Sequence, residues 1–460
     1  MSAKASNRPI TRLSWRRSMR SAALLAAALL AVPATVHAQA ADSPVSPPVV
    51  IQAGRVFDGV QDRLVGPLEI LVVGGRITEM DRRVARPAGA VVVDLSHAVV
   101  TPGLIDLHEH PMVRNATDPG SSARELVQTS SAMKTLVAQH NLERVLLAGF
   151  TTVRVLGGND FEWGLVDLRR AISAGLVDGP RLFVAAHAGG SIGGHADALQ
   201  GYAGNPAAVR QLVQPGIGSG SDFFARWVRD EFRYGSNVIK IMASGGFASP
   251  NDLPDQPQMS EEEVRAVIQT AHGVGLPVTA HAYPGDVIRM LVANGIDGIE
   301  HGALIDSAAV RAMEQANTAL VPTMSIYDPA ITLDSAVLAG LTPYFAAKLR
   351  QYHDQLAQSR RLIVQSHMRI GLGSDCGFGF PCWEAWREFE SMVRSGLTPF
   401  QALHAATSVA AGILGQADLG VLAVGKTADV VAWGSDPTSD ARALRNCVFV
   451  MKDGRIYHRP

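Results

Sequence analysis

Short apolar segments, separated by turn-forming residues, lie near both ends of the chain. Near the amino end they cover residues 49–53, 68–73, 76–80 and 90–95. Near the carboxyl end they cover residues 429–433, 447–452 and 455–458. Segments of this length, bounded by glycine or proline, are typical of β-strands. The pattern therefore predicts a small β-sandwich domain built from residues 49–100 and 416–460.

The middle of the chain, residues 101–415, alternates apolar strands with helical segments at 130–148, 260–274 and 343–366. The eight strand candidates are 103–110, 151–156, 181–187, 238–244, 277–283, 298–301, 320–325 and 370–375. This alternation predicts an α/β fold, specifically a TIM-like (β/α)8 barrel. A doubly wound open sheet is the alternative, but it would place a glycine-rich nucleotide loop after its first strand, and here that strand ends in histidines.

A basic leader precedes these domains. Residues 1–20 carry six lysines and arginines, residues 22–32 are apolar, and small residues follow near Ala38. This order is typical of a cleavable secretory signal, and the apolar run is shorter than the ~20 residues of a membrane-spanning helix. We therefore expect a signal peptide over 1–38, a flexible linker over 39–48, no stable membrane span, and a periplasmic or secreted protein.

The charge balance excludes some classes of partner. The chain has 41 Lys and Arg against 42 Asp and Glu, so it lacks the basic surplus of a nucleic-acid-binding protein. It has only three cysteines, too few for a small disulfide scaffold. In an exported protein, Cys376 and Cys382 could form a disulfide or remain reduced. We expect a small-molecule substrate, no nucleic acid and a homo-oligomer.

Candidate chemistry lies at the ends of the predicted barrel strands. Asp106, His108 and His110 alternate along one strand, so their side chains share a face. Four further strand ends carry one polar residue each, namely Lys240, His281, His301 and Asp375. Because active sites of parallel barrels form where the strands end, these side chains are expected to converge. Histidine and carboxylate side chains that converge in this way can hold a divalent metal ion.

The surrounding motifs identify a family resemblance. PGLIDLHEH at 102–110, GGRI at 74–77 and GKTADV at 425–430 resemble the metal-dependent amidohydrolase superfamily. GFTTVR at 149–154, SIGGH at 191–195, the Tyr234–Gly235 pair and IKIMASGG at 239–246 resemble its branch of Xaa-Pro dipeptidases, lysine/arginine carboxypeptidases and ochratoxinases. The imidazolonepropionases are neighbours of that branch.

The resemblance implies a site with two zinc ions. His108 and His110 would bind one ion, His281 and His301 the other, and a carboxylated Lys240 would bridge them. Asp375 would lie beside the first ion, take the proton from a shared water that attacks a carbonyl, and pass it to the departing nitrogen. The implied enzyme is a hydrolase of C–N bonds in amides or peptides.

The substrate is less closely defined by the motifs. Val155 and the segment 381–385 depart from the branch pattern near the predicted site. Arg154, Tyr234 and His195 are the candidates for holding a substrate carboxylate. We expect cleavage of an amide next to a carboxylate-bearing residue, in a dipeptide or in an N-acyl amino acid such as ochratoxin A. The alternatives are hydrolysis of a cyclic amide or lactone, as in imidazolonepropionases, and a metal-binding protein without turnover.

Overall fold

The computed structural model describes residues 47–113, 121–200, 212, 214–328, 338, 341–377 and 379–459. The predicted signal peptide and almost all of the predicted linker lie outside these residues. Within them, no helix has the length and apolar character needed to cross a membrane.

Seventeen strands occur in the described residues. They are β1 Val49–Val56, β2 Leu68–Val73, β3 Arg76–Asp81, β4 Val91–Pro102, β5 Leu104–Glu109, β6 Phe150–Leu156, β7 Arg181–Ala185, β8 Ala188–Ser191, β9 Ile217–Gly218, β10 Ile239–Met242, β11 Val278–Pro284, β12 Gly298–Leu304, β13 Ala319–Val321, β14 Arg369–Ile370, β15 Val430–Trp433, β16 Cys447–Lys452 and β17 Arg455–His458.

Twelve α-helices occur in the same residues. They are α1 Ser121–Gln128, α2 Ser131–Leu147, α3 Gly164–Ser173, α4 Ser221–Tyr234, α5 Glu261–Gly273, α6 Gly285–Ala293, α7 Ser307–Ala316, α8 Pro343–Gln351, α9 His353–Gln365, α10 Trp386–Ser395, α11 Pro399–Ala405 and α12 Ser408–Ile413. Short 3-10 helices cover Cys382–Glu384 and Ala441–Arg445.

One seven-stranded sheet combines both ends of the described chain, in the order β17-β16-β15-β4-β1-β2-β3. Strands β1 and β4 are parallel, and β15 pairs antiparallel with β4, opposing Val430 to Pro102. The strands expected at the two ends of the sequence are therefore observed. Strand β4 nevertheless continues to Pro102, past the domain boundary predicted at residue 100, because its later residues pair with β15.

The central strands form two parallel sheets, ordered β5-β6-β7 and β14-β13-β12-β11-β10-β8-β9. Backbone hydrogen bonds connect β5 with the segment that directly follows β14: the N–H of Leu107 donates to the carbonyl of Leu372 at 2.9 Å, and the N–H of Asp375 donates to the carbonyl of His108 at 2.7 Å. Strands β8 and β9 were not predicted, and β13 and β14 are shorter than expected. The fold is thus mixed α/β with an additional sheet, and the closed eight-stranded barrel remains a prediction.

The helices begin where side chains can bond the first free backbone N–H groups. Ser260 and Glu263 form a capping box at the start of α5. The helix predicted over 343–366 is instead two helices, α8 and α9, separated at Tyr352. The Tyr352 ring is buried and packs against Phe247, with ring centroids 5.8 Å apart.

The largest fully buried side chain is Trp433 on β15, which packs into the core around the central sheets. Its indole Nε1 donates to Thr101 Oγ1 at 3.1 Å. We expect Trp433→Ala to lower the free energy of unfolding by about 3–5 kcal/mol, because it opens a large cavity. Urea unfolding would measure the loss. Leu136→Ala, at a side chain that is 64% exposed, is the control and should change stability by less than about 0.5 kcal/mol. Equal effects from both substitutions would contradict this prediction.

Candidate metal centre

Three of the predicted metal ligands meet at one point. His108 lies near the end of β5, His110 directly follows that strand, and Asp375 follows β14. Asp375 Oδ1 lies 3.4 Å from His108 Nε2 and 3.3 Å from His110 Nε2, while the two histidine nitrogens are 3.2 Å apart. All three residues are buried, and their donor atoms lie close enough to hold one metal ion.

His281 on β11 and His301 on β12 lie beside this group. The ring of His301 is 5.1 Å from that of His108 and 4.7 Å from that of His281, between centroids. His301 Nδ1 is 3.9 Å from Asp375 Oδ2. Lys240 lies on β10, hydrogen-bonded along its ladder to β11. The structure therefore brings together the six residues predicted from strand ends, although the ligand role of each remains a proposal.

In each of the four histidines, one ring nitrogen is held by a protein acceptor or hydroxyl group. Nδ1 of His108 contacts Glu300 Oε2 at 2.8 Å, and Nδ1 of His110 contacts the Gly157 carbonyl at 3.0 Å. For His301 the partner of Nδ1 is Thr323 Oγ1 at 2.8 Å, and for His281 the partner of Nε2 is the Gly245 carbonyl at 3.1 Å. Such partners orient a metal-binding imidazole.

Burial keeps three of these imidazoles neutral. Desolvation lowers the pKa of His108, His281 and His301 well below the ordinary histidine range. Neutral imidazole is the form that binds a metal. Burial alone would raise the pKa of Asp375, but the neighbouring His108 and His110 hold it below its ordinary value, so this carboxylate is ionised.

Lys240 is the unusual member of the group. Its side chain is fully buried, and Nζ has no hydrogen-bond partner among the described residues. Burial lowers the pKa of the ammonium group to about 8, although the carboxylates of Glu300 and Asp375 oppose that shift. An unpaired buried cation would be costly, so the environment favours a neutral or modified amine at this position.

Three residues in or directly after the central strands have unusual backbone conformations. His301, Thr323 and Asp375 have φ angles of 70°, 46° and 53°, a left-handed conformation that is rare outside glycine. The turn at Thr323 is held by Glu388, whose carboxylate accepts hydrogen bonds from the backbone N–H groups of Met324 and Ser325 at 2.7 Å each. Strained backbone of this kind often accompanies functional sites.

The sequence analysis missed Glu300, which links several parts of the site. This fully buried carboxylate contacts His108 Nδ1 and accepts hydrogen bonds from Arg154 Nη2, at 2.7 Å, and from Thr279 Oγ1. Its only sequence signal is an acidic residue in an apolar strand, directly before His301. Glu300 therefore orients His108 and neutralises the buried Arg154.

We expect Glu300→Gln to weaken zinc binding by ~10- to 100-fold, as is typical when the partner of a metal-binding histidine is changed. Zinc titration of the metal-free protein against a competing chelator would measure the change. Glu231→Gln is a matched control, because Glu231 is also buried and bonded to a histidine, His187 Nδ1 at 2.7 Å. The two variants should differ clearly, and an unchanged zinc affinity in Glu300→Gln would refute the orienting role.

A disulfide closes the loop that follows Asp375. Cys376 and Cys382 are bonded, which resolves the two possibilities left open by the sequence. Cys376 also pairs with Glu109 of β5 through an isolated parallel bridge. The disulfide and this bridge both restrain the chain immediately after Asp375.

The three predicted substrate-binding residues are placed differently from one another. His195 lies at the site, with its ring stacked on His281 at 4.4 Å between centroids. Arg154 is buried and engaged by the Leu107 carbonyl and Glu300, so its position does not fit the predicted capture of a substrate carboxylate. Tyr234 ends α4, is 44% exposed and stacks on Trp163, so the same role does not fit its position either.

Comparisons with known proteins agree with this geometry. The amidohydrolase family profile matches residues 99–458. Ochratoxinase from Aspergillus niger is 27% identical over 387 residues, covering 79% of this chain and 76% of that protein. An imidazolonepropionase from Anaeromyxobacter sp. (strain K) is 26% identical over 420 residues, covering 84% of this chain and 87% of that protein.

A solved structure of similar shape is a Xaa-Pro dipeptidase with methionine bound in its active site. The two share 29% identity and superimpose with a TM-score of 0.80, covering 89% of this chain and all of the other. The family profile spans well over half of the sequence. The chain therefore belongs to the amidohydrolase family and is a hydrolase of amide C–N bonds.

Proposed function

We propose that this protein is a dinuclear zinc amidohydrolase that cleaves an amide bond adjacent to a carboxylate-bearing residue, in a dipeptide or an N-acyl amino acid such as ochratoxin A. The observation that carries the proposal is the meeting of His108, His110 and Asp375 beside His281, His301 and the unpaired nitrogen of buried Lys240.

The residues present fit two metal ions. Four imidazoles, each with one nitrogen already oriented, and one carboxylate match the nitrogen and oxygen ligands that zinc prefers. The amine of Lys240, once deprotonated, could add to carbon dioxide and lose a proton, and the resulting carbamate would supply anionic oxygen ligands for the ions. His108 and His110 would hold one ion together with Asp375, and His281 and His301 would hold the other.

The protein's own residues then account for the proton transfers. When bound, the metals polarise the substrate carbonyl and lower the pKa of the attacking water. Asp375, ionised and central among the histidines, accepts the proton of that water and delivers it to the departing nitrogen. Glu300 and Thr323 keep His108 and His301 oriented throughout.

The substrate class is supported by the relatives. An ochratoxinase and a Xaa-Pro dipeptidase with bound methionine both cover most of this chain. The test is a product screen with zinc-loaded protein over dipeptides and N-acyl amino acids, with a chelator-treated sample as the control. Release of a free amino acid that is abolished by the chelator supports the proposal, and the absence of any amide turnover would defeat it.

A second candidate function is opening of a cyclic amide or lactone, favoured by the similarity to imidazolonepropionase over 420 residues. Rates on imidazolones and lactones, measured beside those on linear amides, separate the two functions. If the cyclic compounds are turned over faster, a cyclic amide or lactone replaces the linear amide as the proposed substrate.

The remaining architecture is also proposed. Residues 101–415 would form a (β/α)8 barrel, with residues 49–100 and 416–460 as its β-sandwich partner, in a homo-oligomer. Export would follow cleavage of the leader near Ala38. We therefore expect a mature amino terminus near Gln39 on protein recovered from the periplasm or medium of the native host, measured by terminal sequencing. An intact leader on cytoplasmic protein would contradict it.

A further inference from the structure

A chain of polar groups holds His195 beside the candidate metal centre. His195 Nδ1 lies 2.7 Å from Ser249 Oγ, and its backbone N–H donates to Gln258 Oε1 at 2.8 Å. Ser249 Oγ in turn donates to Asp252 Oδ1. His195 is therefore held both through Nδ1 of its ring and through its backbone N–H.

Asp252 is itself anchored as a charged acceptor. Its Oδ1 forms a buried ion pair with Lys348 Nζ at 3.2 Å, and its Oδ2 accepts from Gln258 Nε2 at 2.7 Å. Lys348 also donates to the carbonyls of Gly246 and Ser249, at 2.6 Å each. An ionised carboxylate only accepts hydrogen bonds, so the polarity of this chain begins at Asp252.

The direction of each hydrogen bond follows from proton counting. Ser249 has one hydroxyl hydrogen, and Asp252 takes it. The serine oxygen can then only accept from His195, so the proton of the neutral imidazole lies on Nδ1 and the lone pair lies on Nε2. His195 therefore presents a hydrogen-bond acceptor to whatever lies at Nε2.

Nε2 of His195 is available to a ligand. It has no hydrogen-bond partner in the described part of the chain, and it is not fully buried. The ring is half-buried and stacks on His281, so His195 adjoins the centre where the amide would be cleaved. The backbone of Gly246 packs so closely against the ring that an added Cβ would overlap it.

We propose that His195 Nε2 accepts a hydrogen bond from an N–H group of the substrate, and that Ser249, Asp252 and Lys348 are positioning residues that fix this polarity. The donor is either the nitrogen of the amide that is cleaved or a free amino group next to it. The proposal rests on the proposed function. It also reverses the role predicted from sequence, because an acceptor at Nε2 repels a carboxylate.

Four matched substrates test this polarity: aminoacyl-alanine, N-acyl-alanine, and the N-methylalanine analogue of each. The first carries both N–H donors, the next two carry the amide N–H or the amino group alone, and the N-acyl-N-methyl compound carries neither. We expect the donor-free compound, and the single-donor compound that lacks the recognised N–H group, to have a kcat/KM at least ~5-fold below that of aminoacyl-alanine, since each leaves a desolvated acceptor unpaired. Whichever single-donor compound retains activity identifies the source of the N–H group.

Variants separate this contact from sterics and from general damage. His195→Phe keeps a stacking ring without an acceptor, and Ser249→Ala removes the group that fixes the tautomer. Both variants should retain zinc and lower kcat/KM only on the substrates that carry an N–H donor. The difference in kcat/KM between donor-bearing and donor-free substrates, which we call the gap, should therefore become smaller. Ser359→Ala, at a buried serine bonded to the Ile305 carbonyl, is the control and should leave the gap unchanged.

Three results would overturn the inference without touching the proposed function. The first is equal kcat/KM for all four substrates in the wild-type protein, and the second is an unchanged difference between donor-bearing and donor-free substrates in His195→Phe. The third is loss of zinc in His195→Phe, which would make this histidine a ligand. Failure of the wild-type protein to cleave any of the four would count against the proposed function itself.

Discussion

Lys240→Ala should lose most of its bound metal and nearly all activity. Without the lysine-derived anion, two cations would face each other across a buried site with no bridging ligand. Because the metals supply several kcal/mol of transition-state stabilisation, kcat/KM should fall by at least ~10³-fold. Metal analysis of purified protein and steady-state kinetics measure the two effects.

Lys452→Ala provides the matched control for this loss. Lys452 is also buried, but it lies on β16 and donates to the Gly179 carbonyl, away from the metal residues. It should retain metal and activity. Short carboxylic acids added to Lys240→Ala should restore part of the turnover by occupying the place of the carbamate. Unchanged zinc content and rate in Lys240→Ala would exclude the bridging role.

Asp375→Asn should separate proton transfer from metal binding. Asparagine keeps the shape and one carbonyl oxygen but has no basic site. If proton transfer is the main task of Asp375, kcat should fall by ~10²- to 10⁴-fold while much of the zinc and the substrate affinity remain. Metal content and kinetics must be measured on the same preparation.

The control for that variant is Asp429→Asn. Asp429 is a buried carboxylate paired with Arg181 at 2.8 Å, outside the metal group. Its replacement should leave kcat close to that of the wild-type protein. Near-normal kcat with full zinc in Asp375→Asn would exclude it as the base, and complete loss of zinc would make it chiefly a ligand.

The metal group could be predicted because strand ends obey a simple rule. Residues that end parallel strands meet at one edge, so His108, Lys240, His281, His301 and Asp375 could be grouped from their positions alone. The lengths of the strands were harder to predict from the sequence. The apolar run over 370–375 continues past the residues that pair with β13, so the observed β14 covers only Arg369–Ile370.

The supporting residues could not be found from local patterns. Glu300 and Arg154 are 146 positions apart in sequence, and Asp252 and Lys348 are 96 apart. An arginine near a predicted site suggests carboxylate binding, but only the three-dimensional structure shows that Glu300 already occupies its guanidinium group. In the same way, the polarity of His195 depends on residues from a loop and from α8 that no spacing rule connects.

The pairing of β4 with β15 has a consequence for the order in which the chain folds. Val430 opposes Pro102, so β4 acquires this partner only after 328 further residues have been made. At a synthesis rate of ~5–20 residues per second, that takes on the order of 15–65 s. During this time the apolar edge of β4 is a template for pairing with other chains. Completion of this sheet therefore waits until the carboxyl-terminal strands emerge.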